Sequence, residues 1–334
     1  MTTATMPSAE IVFDTMFAYQ RSAALRSAID LDLFTHIDAG EKTSSEIASR
    51  TGAAERGIRI LCDYLVTIGL LTKSDGSYRL TPDTAAFLSK KSPAYLGTTV
   101  KFLLLPELKQ NMEVLTEAIR RGGITPSGAN TVAEENPIWV EFARSMGPMM
   151  VPAAHAIADL LAGQGPVKVL DIAAGHGLFG ITIAQRNPEA EIVAVDWPNV
   201  LRVATEHART AQVQDRHRTL AGDAFQVDFP SGFDAALVTN FLHHFDPPTC
   251  TSFLAKVQRA LKPGGRVAVL EFVPNPDRVS PPVPARFSLA MLANTPAGDA
   301  YTLAELTEQL ESAGFRKIST HALPTPQLVL IAEK

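Results

Sequence analysis

The sequence predicts an α/β protein: a Rossmann-like, mostly parallel seven-stranded sheet preceded by an N-terminal winged-helix-like unit, all-helical but for one small hairpin. Three observations carry this expectation. Short β-branched runs alternate with helical segments from residue 165 onward, a glycine loop follows the first of those runs, and the first hundred residues outline helix, turn, helix and hairpin. A length of 334 residues suits two domains better than one. The textures divide the chain into an N-terminal helical unit over 1–100, a helical linker over 101–155, and an α/β domain over 156–334.

In the N-terminal unit, TSSEIASRTG opens on cap-type residues, Thr43 to Ser45, and ends at Gly52. The helix GIRILCDYLVTIGLL leads into KSDGSYRLTP, two extended pieces around Asp75-Gly76. Such an outline often marks a DNA reader. However, only Arg56 and Arg59 start the second helix, and residues 1–100 hold 10 Lys/Arg against 11 Asp/Glu, a net of −1. Phosphate contacts supply most of the affinity for DNA, so a reader needs a basic face. An apolar helix in this position fits a partner subunit better. Phe13, Met16, Phe17 and Tyr19 add an apolar helix with no core of its own, and a homodimer through the N-terminal helices is expected.

Residues 101–155 are helical and bulky. Packing is the simpler account for most of them, while Phe142, Met146 and Met149 are candidates to line an apolar pocket. The net charge of −5 gives no push toward nucleic acid or an anionic membrane. Cys62 and Cys250 are too few for a disulfide framework and lack metal-ligand spacing, so no metal is expected. The start MTTATMPSAE lacks a basic stretch before an apolar core, and no run reaches the roughly 20 apolar residues of a membrane helix. A cytoplasmic protein is the expectation.

The strand runs are VKVLDIA, EIVAVD, HRTLAGD, DAALVTN, RVAVLEF, KISTHAL and QLVLIAEK. The last two are separated only by Pro324-Thr325-Pro326, so an antiparallel hairpin should close the sheet. After the first run comes Gly175-His176-Gly177-Leu178-Phe179-Gly180, then a helix. Glycines are needed where backbone must approach a ligand and turn tightly into a helix. The loop matches the dinucleotide pattern G-x-G-x-x-G, a weak signal alone. Its acids choose between cofactors. Asp171, four residues earlier, would repel a pyrophosphate but suits an ammonium group. Asp196 ends the second strand, where an acid takes both ribose hydroxyls. Asp223 follows the third, placed for an adenine amino group. Three carboxylates suit a cationic sulfonium nucleoside better than a dianionic dinucleotide.

On these residues, and on TSSEIASRTG, AVDWPNV, AGDAF, FLHHFDPPTC, LKPGGRVAVLE and ESAGF, the chain resembles the class I S-adenosylmethionine-dependent O-methyltransferases with an N-terminal dimerisation domain. That group includes plant phenolic and bacterial natural-product methyltransferases, and the similarity spans nearly the whole length. It implies S-adenosylmethionine as cofactor and S-adenosylhomocysteine as product. Asp171, Gly175 and Gly177 would surround the methionine moiety, Asp196 would bind the ribose, and Asp223 and Ala224 would flank the adenine. Trp197, Phe225, Thr239 and Asn240 would complete the cofactor set. The family's first loop glycine is Ala173 here, a mild change unless that residue needs positive φ.

Methyl transfer is an in-line displacement at a sulfonium, in which positioning supplies much of the acceleration. A hydroxyl nucleophile also benefits from a base titrating near neutrality. His243 and His244 follow the fourth strand, at the edge where ligands collect. The family's catalytic histidine matches His243, and a loop hydrogen bond or a place in the substrate pocket is left for His244. Glu271, ending GGRVAVLE, matches the family's first supporting glutamate and would orient the imidazole. The second glutamate has no counterpart: its place is Ala300, with Asp299 beside it. Either Asp299 substitutes from one residue away, or the pocket does not run the usual dyad.

After the fifth strand, Phe287, Met291 and Leu292 recur at helical spacing. Core packing explains them most simply, yet facing His243 they could clamp a planar acceptor. An inward Arg286 would favour an anionic one. The expected reaction is methyl transfer to a hydroxyl of a small, aromatic or secondary-metabolite acceptor. Methylation of carbon or nitrogen on the same fold, a NAD-dependent oxidoreductase and a ligand-sensing winged-helix regulator are the alternatives.

Overall fold

The computed structural model describes residues 8–124, 131, 133 and 135–334. The first seven residues, where no leader was read, lie outside the described residues. The chain divides into two compact units between Leu104 and Leu105, so residues 105–155 fall within the second unit.

In the first unit, helices Ala18–Asp30, Leu33–Ala39, Ser44–Thr51 and Glu55–Thr67 precede a hairpin of β1 (Leu71–Ser74) and β2 (Ser77–Leu80). Thr43 and Glu46 form a reciprocal capping box, which satisfies two orphan donors and starts the third helix where the sequence places it. Asp75 and Gly76 both have positive φ, 50° and 74°, as a type I′ turn requires. Leu33, Phe34, Ile47, Ile58, Leu65 and Tyr78 form the core. Arg59 pairs with Asp63 at 3.2 Å, so one of the two bases that open the helix is already neutralised. Phe13, Met16, Phe17 and Tyr19 are at least half exposed.

The second unit is built on a seven-stranded sheet of β3 (Val167–Ile172), β4 (Ala190–Asp196), β5 (His217–Ala221), β6 (Phe233–Thr239), β7 (Leu261–Glu271), β8 (Arg316–Ala322) and β9 (Leu328–Glu333). The order is β5-β4-β3-β6-β7-β9-β8. The first five strands are parallel, and β9 runs antiparallel to both β7 and β8. Side chains alternate between two apolar layers. Leu170, Ile172 and Val269 face helices Pro247–Ala260 and Leu303–Ser312, while Val169, Ile192 and Leu270 face Gly147–Leu161 and Leu178–Arg186. Strand order reverses between β3 and β6, and in such sheets ligands gather beyond the carboxyl ends of the strands at that point. No described helix is long and apolar enough to cross a membrane.

Ala173, directly after β3, has φ 51°. The condition under which alanine ceases to be a mild change is therefore met. A left-handed alanine costs about 1–2 kcal/mol, and glycine returns part of that gain through extra freedom in the unfolded chain. Ala173→Gly should raise stability by up to about 1 kcal/mol in denaturant titration, whereas Ala173→Val should lower it by more than that.

Candidate active site

The carboxyl ends of five strands bring the acids, the glycine loop and His243 together. Gly175 and Gly177 are left-handed, with φ 57° and 71°, and Gly177 caps helix Leu178–Arg186. A Cβ on Gly177 would lie 3.1 Å from that of Ala204, so close packing adds to the need for glycine. Asp196 Oδ2 accepts from the Gly175 N–H at 2.8 Å, and Oδ1 from the Trp197 N–H at 2.7 Å. Burial pushes the Asp196 carboxyl up to about 6, against the pull of those two donors. Trp197 is half-buried and packs with Trp139, Val140 and Val200.

Asp171 departs from the sequence expectation of an acid facing an ammonium group. It is fully buried beneath the loop, where Oδ2 accepts from the Gly180 N–H at 3.1 Å and Oδ1 has no partner among the described residues. Gly180 permits this: a Cβ there would lie 2.8 Å from Oδ2. Burial, opposed by the Gly180 donor and reinforced by Asp196, raises the Asp171 carboxyl to about 7.

Beyond β5, Asp223 Oδ1 accepts from the Phe225 N–H, and the Asp223 carbonyl accepts from Gln226 and Val227. This makes a tight turn that buries Ala224 and half-buries Phe225. The Phe225 ring joins Phe241, Phe245 and Phe253 in an aromatic block, with centroids 4.8–5.9 Å apart. Thr239 is buried as the last residue of β6. Asn240 follows in left-handed conformation, φ 54°, its amide held between Met150 Sδ and the Gln327 amide.

His243 and Glu271 meet as the sequence predicts. Nδ1 lies 2.5 Å from Glu271 Oε2, both residues being buried, and Glu271 Oε1 accepts from the N–H groups of Phe241 and Leu242. With two backbone N–H groups on its other oxygen, the Glu271 carboxylate is an acceptor, so Nδ1 donates to it and, in the neutral imidazole, Nε2 has the lone pair. Nε2 makes no hydrogen bond among the described residues. The Phe287 ring stands edge-on to His243 at 4.9 Å, backed by Phe272. His244 is buried 4.3 Å from His243 and 5.2 Å from Trp139, with Nδ1 unpartnered among the described residues. Burial, then the neighbouring His243, hold its imidazole well below the ordinary range, so it is neutral at pH 7.

Phe142 stacks on His176 beside the glycine loop, and Met149 is half-buried near it. Met146 and Met291 are buried, and Arg286 is exposed. Asp299 does not join the imidazole. Its carboxylate is 3.1 Å from Arg278 and 39% exposed, while Ala300 is fully buried. Arg278, Gly298, Gln327 and Lys256 shape the site but were missed in the sequence, because none sits in a recognisable pattern. Among the described residues, no group of three or more His, Cys, Asp or Glu could hold a metal ion.

Residues 134–316 match the model of the O-methyltransferase domain, and residues 13–90 that of the O-methyltransferase dimerisation domain. The chain belongs to the O-methyltransferase family. It is an S-adenosylmethionine-dependent methyltransferase, and the oxidoreductase and regulator readings fall away. This O-methyltransferase is 30% identical to the 3-hydroxy-5-methyl-1-naphthoate 3-O-methyltransferase of Streptomyces sahachiroi, over 92% of this chain and 89% of the relative. It is 29% identical to the tetracenomycin polyketide synthesis 8-O-methyl transferase of Streptomyces glaucescens, over 95% and 94%. A crystal structure assigned as an O-methyltransferase, from Nostoc punctiforme, matches with TM-score 0.95 and 48% identity, over 99% of this chain and all of that one.

Proposed function

We propose that this O-methyltransferase methylates a hydroxyl of a flat aromatic acceptor, with His243 as general base and Glu271 holding the imidazole. The observation that carries the reading is the pair itself: Nδ1 is tied to a buried carboxylate, Nε2 has no hydrogen bond among the described residues, and the ring packs against that of Phe287. The names of two streptomycete relatives specify a hydroxynaphthoate and tetracenomycin polyketide synthesis, and the rings of Phe287 and Phe272 beside His243 suit a flat aromatic acceptor.

The donor set fits the cofactor. Asp196, at the end of β4, has the place and the acceptor oxygens for a ribose diol, and the Asp223–Phe225 turn suits the adenine. Gly175 and Gly177 supply the left-handed turns that would carry the loop past the methionine portion, and Asp171 supports the loop from below. Bound there, S-adenosylmethionine supplies the electrophilic methyl carbon. The methyl carbon would pass from sulfur to the acceptor oxygen with S-adenosylhomocysteine as the leaving group; Nε2 would take the hydroxyl proton, and Glu271 would stabilise the imidazolium. The exposed Phe13, Met16, Phe17 and Tyr19 favour a homodimer through the N-terminal helices, which sedimentation can test.

The reaction is tested by supplying S-adenosylmethionine and a panel of hydroxyarenes and locating the new methyl by NMR. Methyl on oxygen is expected; products methylated only on carbon or nitrogen would reject the reading. Asp299→Ala should lower kcat less than about threefold, because an exposed ion pair contributes little. A larger loss would restore Asp299 to the chemistry.

A pH dependence follows from the two raised carboxyls. Ribose hydroxyls donate to the ionised form of Asp196, so S-adenosylhomocysteine affinity should fall as pH drops below about 6. Stability of the ligand-free enzyme runs the other way. Both folded carboxyls titrate above the unfolded value, so their contribution is fully present below about pH 4 and is lost as pH rises toward 7. The ligand-induced rise in Tm should therefore be larger at pH 8 than at pH 5.5, as differential scanning fluorimetry can measure.

A further inference from the structure

Helix Pro247–Ala260 sends Lys256 back against the turn that follows β5. Its ammonium donates to the carbonyls of Ala224 at 2.9 Å, Phe225 at 2.9 Å and Val227 at 2.7 Å. It also lies 4.4 Å over the ring of Phe229. An ammonium has three N–H donors, and here all three go to one turn of five residues. It forms no salt bridge among the described residues, although the charges of Asp228 and Asp223 act on it. A lysine on a half-buried surface ordinarily keeps its head in water. This one spends it on carbonyls that the turn cannot pair internally, since the turn's own bonds run to the Asp223 carbonyl and carboxylate.

We infer that Lys256 is a positioning residue for the adenine end of the cofactor. It fixes the Asp223–Val227 turn without touching the ligand. The inference rests on the proposed placement of the adenine at Asp223, Ala224 and Phe225. Lys256 grips the carbonyls, and Phe253, three residues earlier on the same helix, packs on Phe225 at 4.8 Å. Between them the turn has little freedom, so the Asp223 carboxylate is already aimed before the nucleoside arrives. Without the ammonium, three carbonyls lose their donor and the turn relaxes toward water. The cost then falls on binding of the nucleoside and spares the remote methyl transfer.

The test is calorimetric titration of the full-length enzyme with S-adenosylhomocysteine and with 5′-methylthioadenosine, which shares only the nucleoside end. Lys256→Met keeps the stem's packing and removes the donors. It should weaken both ligands by about tenfold, and raise KM for S-adenosylmethionine similarly, with kcat within about twofold. Lys256→Arg, which retains donors, should recover affinity to within about threefold of the parent. Should Lys256→Met not fold, Lys256→Gln serves in its place with the same expectation.

A purely structural lysine would lower Tm and leave both affinities unchanged, and that result overturns the inference. So does a fall in kcat with affinity intact. Asp223→Ala separates the layers. If it weakens both ligands while Lys256→Met does not, the positioning role is wrong and the adenine subsite stands. If Asp223→Ala changes neither, the subsite itself is misplaced and the inference falls with it.

Discussion

His243→Ala lowers kcat by about 10²- to 10⁴-fold and leaves the Kd for S-adenosylhomocysteine within about twofold. The imidazole is placed for the acceptor, and no cofactor candidate depends on its Nε2. With the base gone, the acceptor must shed its own proton. The variant's rate on a phenol should then climb about tenfold per pH unit below the phenol's pKa near 10, a slope the parent lacks around neutrality. A flat profile together with unchanged kcat would remove His243 from the chemistry. Glu271→Gln probes the same pair from behind. The amide keeps the carboxylate's shape but exchanges an acceptor for a donor, in a pocket where Phe241 N–H, Leu242 N–H and His243 Nδ1 all point at it. With the amide oxygen kept on the two backbone N–H groups, its NH2 faces His243 Nδ1, which must then accept; the ring proton moves to Nε2, and the charge that would stabilise an imidazolium is lost. We expect about 10²-fold or more in kcat.

Gly298→Ala is the second large effect. A Cβ there would stand 2.2 Å from the His243 carbonyl oxygen and 2.6 Å from Thr295 Oγ1. The first contact is with backbone, so no side-chain rotation relieves it. Either the 295–300 segment lifts off or the turn bearing His243 moves. Overpacking of this kind costs about 1–3 kcal/mol, and misplacing a base by about 1 Å can cost 10²-fold in rate. Denaturant titration should show the loss of stability, and steady-state kinetics a fall in kcat greater than the fall in cofactor affinity. Wild-type kcat in Gly298→Ala would mean that the segment yields instead of the turn.

The sheet and its closing hairpin were legible because short β-branched apolar runs and the Pro-Thr-Pro break are local signals. His243 with Glu271 was legible because one follows β6 within a short turn, the other ends β7, and both match positions of the family's motifs. Three things were not. Ala173 reads as an ordinary small residue, and only the chain's exit from β3 forces its positive φ. Asp171 and Asp196 are both strand-end acids, yet one lies under the loop and the other beside it. What separates them is Gly180, nine residues beyond Asp171, which leaves room for a buried carboxylate. Asp299 stood one residue from the expected carboxylate, and nothing local showed that Arg278, 21 residues earlier, would claim it. Long-range ion pairs and close backbone approaches leave no period in a sequence.

The aromatic block of Phe225, Phe241, Phe245 and Phe253 joins the turn after β5 to the turn bearing His243 in one packed mass. Helix Pro282–Asn294, by contrast, reaches the imidazole through the edge of Phe287. This asymmetry sets the terms for redirecting the enzyme toward new acceptors. Swapping that helix between relatives should leave the proposed donor seat and the proposed base locked to each other, so that product spectrum can drift while the two stay in register. Rewriting any member of the phenylalanine block moves donor seat and base together, and a library aimed there should yield mostly inactive proteins.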